Sequence, residues 1–269
     1  MREDKMPNNN DNVRSIVRAF SILEAISKAN GEKLGIQDLA TATKLSKATA
    51  YRIASTLVTL QYIEKDENNK YRLGLKLISL SAVVLNNLQL VDVAKSELHE
   101  LAQEIGLTAH LGTIDGNDLL YLSKANSNNS IRTTSYVGQR SYLHSTSLGK
   151  ALCAFLPKEQ VIRIVKEKGM PQFTPNTITK IENYLLELDK VKTQGYAIDD
   201  EENEKFVRCV AAPIFDHTGK VIAAISVSGL IVHIPEAKLP KAIETVMSRA
   251  LDISKKMGYP DNSKRTISE

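Results

Sequence analysis

Apolar residues recur at helical spacing in the first quarter of the chain. Val13, Ile16, Val17, Phe20, Leu23 and Ile26 predict an amphipathic helix, capped by Asn12 and ending near Gly31. Ile36, Leu39 and Ala40 mark a short second helix, and Lys44-Leu45 makes the turn into a third. Ser46 can cap that third helix, whose apolar face is Ala50, Ile53, Ala54, Leu57 and Leu60. Two strand-like runs follow, Tyr62 to Lys65 and Lys70 to Leu73, joined by the turn-forming Glu67-Asn68-Asn69. Three helices and a hairpin make a winged helix-turn-helix over residues 13–74, a layout in which the second helix of the turn enters the major groove.

Farther along, Leu75, Leu77, Ile78, Leu80, Val83, Val84 and Leu88 continue as a helix without a Gly or Pro break. Apolar residues around much of its circumference predict burial against another chain or the next domain, so residues 75–90 read as a linker and dimerisation helix. Residues 91–260 alternate differently. A helix to Ile105 stops at Gly106, and two strands, Thr108 to Ile114 and Leu119 to Lys124, flank an Asp115–Asp118 hairpin turn. Ile131 to Val137 reads as a weaker third strand. Helices are predicted over Ser145–Phe155, Lys158–Lys168 and Thr179–Thr193, strands over Tyr196–Asp199, Arg208–Phe215 and Val221–Ser228, and a last helix over Lys238–Met257. Hairpins bracketed by helices predict an α+β domain, an antiparallel sheet with helices packed on it.

Charge sharpens the third helix. Between Leu39 and Ile63 there is no acidic residue. Its polar face carries Lys47, Thr49, Tyr51, Arg52 and Ser55 beside the Ser46 cap, groups of the kind that read phosphates and base edges. Excluding carboxylates favours approach to polyanionic DNA, since each would repel phosphate. The wing adds Lys65 and Lys70 but also Asp66 and Glu67, so it does not separate DNA binding from protein interaction. Net charge says less: residues 1–74 hold 12 basic and 9 acidic residues, the remainder 23 and 22.

Composition bounds the rest. With 269 residues the chain has room for two domains. The two cysteines, Cys153 and Cys209, stand apart with no His at metal spacing, which predicts a reduced, cytoplasmic compartment and no disulfide framework. No apolar run reaches membrane-spanning length. Residues 1–12, polar and Asn-rich, read as a disordered arm rather than a signal or transit peptide, and residues 261–269 as a tail.

Candidate chemistry in the second domain is sparse. Ser145-Thr146-Ser147 place small hydroxyls at a helix N-terminus, where unpaired N–H groups and the helix dipole suit a carboxylate. The run Asp199-Asp200-Glu201-Glu202 reads as a solvated loop rather than a metal site, because consecutive acids point to alternate sides. Cys209 lacks an evident base in the sequence and reads as a small wall residue, not a nucleophile. His110 reads as a satisfied sheet residue, while His144, just before the hydroxyl-rich helix, stays open as a ligand. Gly149-Lys150 is no P-loop: His144 replaces the first glycine and Ala151 the Ser or Thr. No catalytic residue, metal ligand or cofactor site is assigned.

Six segments in order resemble the IclR family of transcriptional regulators: SKATAYR (46–52), YRLGLKL (71–77), HSTSLGKA (144–151), GYAIDDEE (195–202), RCVAAPIF (208–215) and ISVSG (225–229). The resemblance runs from Val13 to Tyr259 and implies a winged-helix DNA reader, a dimerising linker helix and a GAF-like effector-binding domain over residues 91–260. TAHLG (108–112), LYLSK (120–124) and RCVA (208–211) resemble the branch that represses hexuronate and pectin breakdown in response to 2-keto-3-deoxygluconate. Carried over from the family motif, Ser147 and Leu148 would present backbone N–H groups to the effector, with Asp199, Cys209, Ser226 and Ser228 on the opposite wall. An ionised Asp199 would accept bonds from ligand hydroxyls and repel a second anion. Ser147 replaces the glycine of glyoxylate- and pyruvate-responsive members, which favours a polyhydroxylated ligand.

The expectation is therefore a repressor that binds double-stranded operator DNA and a small keto acid, as a homodimer or tetramer and away from membranes. The alternative is a cytosolic small-molecule enzyme carrying an N-terminal helical interaction module. The acid-free helix favours the first; the second lacks a nucleophile–base pair or metal constellation.

Overall fold

The computed structural model describes residues 13–29, 31–80, 89–127 and 135–260, and the chain divides into two units between Asn87 and Leu88. In the first, α1 (Arg14–Lys28), α2 (Ile36–Thr43) and α3 (Lys47–Thr59) precede the hairpin β1 (Ile63–Lys65) and β2 (Tyr71–Leu73). Local chemistry sets each boundary. Asp38 Oδ2 accepts the Gly35 N–H at 2.9 Å at the start of α2. Lys44 ends α2 in the left-handed region at φ 55°. Ser46 Oγ then accepts the Thr49 N–H at 3.3 Å and caps α3, a contact of about 1 kcal/mol. At the hairpin tip, Asp66 Oδ1 accepts N–H groups of Asn68 and Lys70, both at 2.9 Å. The hairpin is antiparallel with Ile63 opposite Leu73, and Leu34 bridges to Tyr71. Ile22, Ile26, Leu39, Ala54, Leu57, Ile63 and Tyr71 form the core.

Three expectations here need correction. The cap position of α1 falls on Val13, whose side chain has no acceptor, and Asn12 lies outside the described residues. Val13, Ile16, Val17 and Phe20 are exposed, so of that apolar row only Leu23, half-buried, and Ile26 reach the core, beside Ile22, which the row did not include. Leu60 falls at the C-cap of α3 and is exposed. Residues 76–80 are helical; the rest of the predicted linker helix, 81–88, lies outside the described residues.

The second unit opens with α4 (Gln89–Ile105) and has a six-stranded sheet, antiparallel throughout. Its strands are β3 (Thr108–Asp115), β4 (Asp118–Ala125), β5 (Arg140–Ser141), β6 (Ala197–Asp200), β7 (Val207–Phe215) and β8 (Val221–Leu230), in the spatial order β5-β4-β3-β8-β7-β6. The strand predicted at 131–137 lies mostly outside the described residues, and 135–137 are not in a strand. Helices α5 (Ser147–Cys153), α6 (Lys158–Lys168) and α7 (Ile181–Gln194) join the two halves, and α8 (Leu239–Lys256) closes the unit.

Alternation divides the sheet's two faces. Ala109 and Leu111 of β3, Val210, Ala212 and Ile214 of β7, and Ala223, Ile225 and Val227 of β8 share one core with α4 and α8. Ala211 and Ala224 turn to the other core, with Leu148, Leu152 and the buried side chains of α6 and α7. Residues in phase with Ala211 and Ala224 therefore face α5, among them Cys209, Ser226 and Ser228. Gly149 fixes how closely α5 packs: a Cβ there would lie 2.2 Å from the Leu143 carbonyl oxygen. The Gly-Lys pair is thus a packing device.

Candidate functional site

On α3, Lys47 and Arg52 are exposed and, among the described residues, enter no ion pair. Tyr51 is also exposed, and the wing's Lys65 Nζ stands 5.9 Å from its ring centroid. Ser46 and Thr49 spend their hydroxyls on each other at 2.9 Å, and Thr49 and Ser55 are half-buried. Lys70 is exposed at the wing tip. The other wing cation, Arg72, is held by Glu64 at 2.5 Å, and Asp66 is tied to Lys33 at 2.8 Å, which holds its carboxyl below the usual range. Thus two of the wing's acids, Glu64 and Asp66, are committed to neighbours, Glu67 is exposed, and the cations of α3 stay available among the described residues.

In the second unit Ser147, Leu148, Asp199, Cys209, Ser226 and Ser228 all line one cavity of about 220 Å³. Two elements supply opposite walls. Ser147 and Leu148 are the first two residues of α5, and among the described residues their N–H groups donate to nothing. Thr146 caps the helix, accepting the Gly149 N–H at 3.2 Å. Across from them, register places Cys209 beside both Asp199 and Ser228, with the Cys209 thiol donating to Ser228 Oγ at 3.1 Å. Burial, first, and the Asp199 carboxylate, second, push that thiol well above its ordinary range, which is the wrong direction for a nucleophile.

Asp199 behaves unlike the ionised acceptor that was expected. It is 2% exposed, and burial raises its carboxyl to about 7, against the lowering effect of N–H groups of Glu202 and Asn203 that reach Oδ1 at 2.8 and 3.2 Å. Near neutral pH it is divided between its two protonation states. The acidic run is likewise no solvated loop. Glu202 is buried with Lys150, whose Nζ lies 2.5 Å from Glu202 Oε1 and 3.5 Å from Glu187, while Glu202 Oε2 has no hydrogen-bond partner among the described residues. Asp200, pointing the other way, forms two bonds with Arg208 at 2.8 and 3.0 Å. A lysine 52 positions before Glu202 overrode the local pattern.

Other lining residues escaped the sequence reading. His110 faces the cavity because it pairs with Ser226 in register. Its Nε2 lies 2.7 Å from Ser135 Oγ, and burial, aided by Lys124, lowers its basicity to about 3, so it is neutral. Tyr121 meets it edge-on at 5.3 Å and also lines the cavity. The period of two from Thr108 to His110 was available as a signal; which face pointed inward was not, until β3 paired with β8. His144 does not line the cavity. It is buried between Tyr142 and Phe173, with Nε2 3.1 Å from the Pro171 carbonyl. No described helix is long and apolar enough to cross a membrane.

Known proteins resemble the chain over nearly its whole length. Residues 15–67 match the IclR helix-turn-helix domain, and residues 82–255 the bacterial transcriptional regulator IclR C-terminal domain. The sequence is 37% identical over 259 residues to the HTH-type transcriptional regulator KdgR of Escherichia coli strain K12, covering 96% of this chain and 97% of that protein. It is 35% identical over 249 residues to the regulator XynR of the same organism, covering 92% and 98%. Among solved structures, the Thermotoga maritima IclR superimposes with a TM-score of 0.75 at 32% identity, over 92% of this chain and 100% of that one.

Proposed function

This chain belongs to the IclR family of DNA-binding transcriptional regulators, and from that premise we propose that it represses carbohydrate and hexuronate catabolism until a keto acid such as 2-keto-3-deoxygluconate occupies its cavity. It is a regulator and not an enzyme. On operator DNA, Arg52 reads a base edge and Lys47 a phosphate, with Ser46, Thr49, Tyr51, Ser55, Lys65 and Lys70 completing the surface. In the cavity, the N–H groups of Ser147 and Leu148 take the carboxylate, while Asp199, Ser226 and Ser228 take hydroxyls beside Cys209. Supporting this is one observation above all: these six residues, from four elements, converge on one small cavity. Its volume of about 220 Å³ falls below the roughly 300–1,000 Å³ of drug-sized sites and suits an acid of a few carbons.

A dimer, or a pair of dimers, accompanies this reading. Leu75, Ile78 and Leu80 are exposed in the single chain, as is the row Val13, Ile16, Val17 and Phe20 on α1; a second copy would cover them. Two winged helices would then meet half-sites one helical turn, or a multiple, apart. Isothermal titration at pH 6.5 tests the ligand assignment. The sugar acid binds at least tenfold more tightly than pyruvate, which has no hydroxyls to offer. Tighter binding of pyruvate, or of an aromatic acid over both, overturns the sugar-acid assignment.

A further inference from the structure

Charge in the cavity does not balance for an acid ligand. Among the described lining residues there is no Lys or Arg, while two carboxylates, Asp199 and Glu204, are present. Among the described residues, the buried ionisable groups around Asp199 are already committed. From α5, Lys150 directs its charge to Glu202 and Glu187. From β7, Cys209 is held as a neutral thiol, and from β4, Tyr121 as a neutral phenol raised by burial. From β3, His110 is neutral beside Lys124, and Lys124 itself donates to the Ser135 carbonyl at 2.6 Å. The loop after β6 adds Glu202, whose charge works against a second anion, and Glu204 and His233 stand at the exposed rim. Arg208 is turned to Asp200 and Glu236.

We infer that an anionic effector enters together with one proton, which is taken from solvent and settles on Asp199. The inference rests on the keto-acid reading of the cavity. Two anions in one small cavity, with no cation among its described lining residues, disfavour each other's charge, so the second carboxyl to arrive raises the first. Asp199 is the group able to respond. Both backbone N–H groups it accepts go to Oδ1, which leaves Oδ2 as the proton's place. Its empty-state position near 7 means that protonation requires little pH change. Once protonated, Asp199 donates to the ligand instead of repelling it, so the residue selects for an acceptor at that point. Effector sensing therefore becomes a reading of acid concentration and pH together.

Calorimetry on the full chain with 2-keto-3-deoxygluconate at pH 8, in phosphate, Hepes and Tris, measures this directly. The observed enthalpy should change with buffer ionisation enthalpy, with a slope approaching one proton taken up per site. Affinity should fall about tenfold per pH unit above 7, as one linked proton requires. Asp199→Asn, which keeps the Oδ1 acceptor without the charge, should lose both the slope and the pH dependence. Binding by the parent chain without proton uptake overturns the inference and leaves the proposed function standing, as does uptake that persists in Asp199→Asn. Failure of the parent to bind either this acid or pyruvate at pH 6 and pH 8 overturns both.

Discussion

The face of α3 and the cavity between α5 and β6–β8 both gather polar groups, but they hold charge in opposite ways. On α3, Lys47 and Arg52 are exposed and unpaired among the described residues; their charges stay hydrated until phosphate displaces the water. Behind the cavity, Lys150 is fully buried and bound to Glu202 and Glu187, and the polar groups lining the space include hydroxyls, a thiol, the neutral His110 and two carboxyls, of which Asp199 is buried and shifted. A long polyanion is met by mobile cations at the surface, where attraction is strong at range and screened by salt. On the proposed reading, a small acid in the cavity is met by dipoles and a proton, since a free buried charge would cost too much without a ligand. The same residue type, lysine, is therefore an exposed charge at position 47, where the proposed function uses it for recognition, and a buried structural partner at position 150.

The largest expected effect breaks the buried side of this contrast. Lys150→Met removes the buried cation shared by Glu202 and Glu187, leaving only the exposed Lys190 at 3.9 Å from Glu187, and should destabilise the second unit by about 3–5 kcal/mol in urea unfolding. Lys47→Ala should change stability by less than about 0.5 kcal/mol in the same assay. Equal losses from the two would remove the distinction.

On the exposed side, Arg52→Ala should lose roughly 1–3 kcal/mol of operator affinity and relax sequence preference at one position. Lys47→Ala should weaken all sequences alike and lower the salt slope by about one. Competition binding against scrambled duplexes at several salt concentrations separates the two behaviours.

A smaller effect is a pH dependence carried by Asp199. Its carboxyl is raised when folded, from 3.8 to about 7, so the folded chain binds the proton more tightly than the unfolded one. The stability this lends is fully present below pH 3.8 and is lost as pH rises through about 7. Without ligand, the parent chain should therefore weaken from pH 6 to pH 8 relative to Asp199→Asn, followed by the unfolding midpoint. Parallel curves for the two proteins would contradict the assignment.

Much of this was legible because it is local. The Ser46 cap, the left-handed Lys44 turn and the period of α3 lie within fifteen residues, and the helix begins where the cap predicts. Period two likewise put Ser226 and Ser228 on one face of β8 before any partner strand was known. What failed was non-local. The acidic run looked solvated because nothing nearby announces Lys150, and Asp199 looked ionised because burial is not written in its neighbours. His110 reached the cavity through pairing with β8, and a register shift at Leu111/Gly112 alters how β3 meets β4. The first half of α1 read as one amphipathic row on pattern alone, yet Val13, Ile16, Val17 and Phe20 are exposed.

One measurement bears most directly on whether the cavity governs the DNA-reading surface: fluorescence anisotropy of the chain's own upstream duplex, titrated with protein in the absence and presence of 2-keto-3-deoxygluconate. The acid should weaken operator binding at least tenfold for the parent chain. Ser226→Val, which fills the cavity wall without touching α3, should bind DNA as the parent does and lose that response. Unchanged operator affinity in the parent at saturating acid would contradict the account.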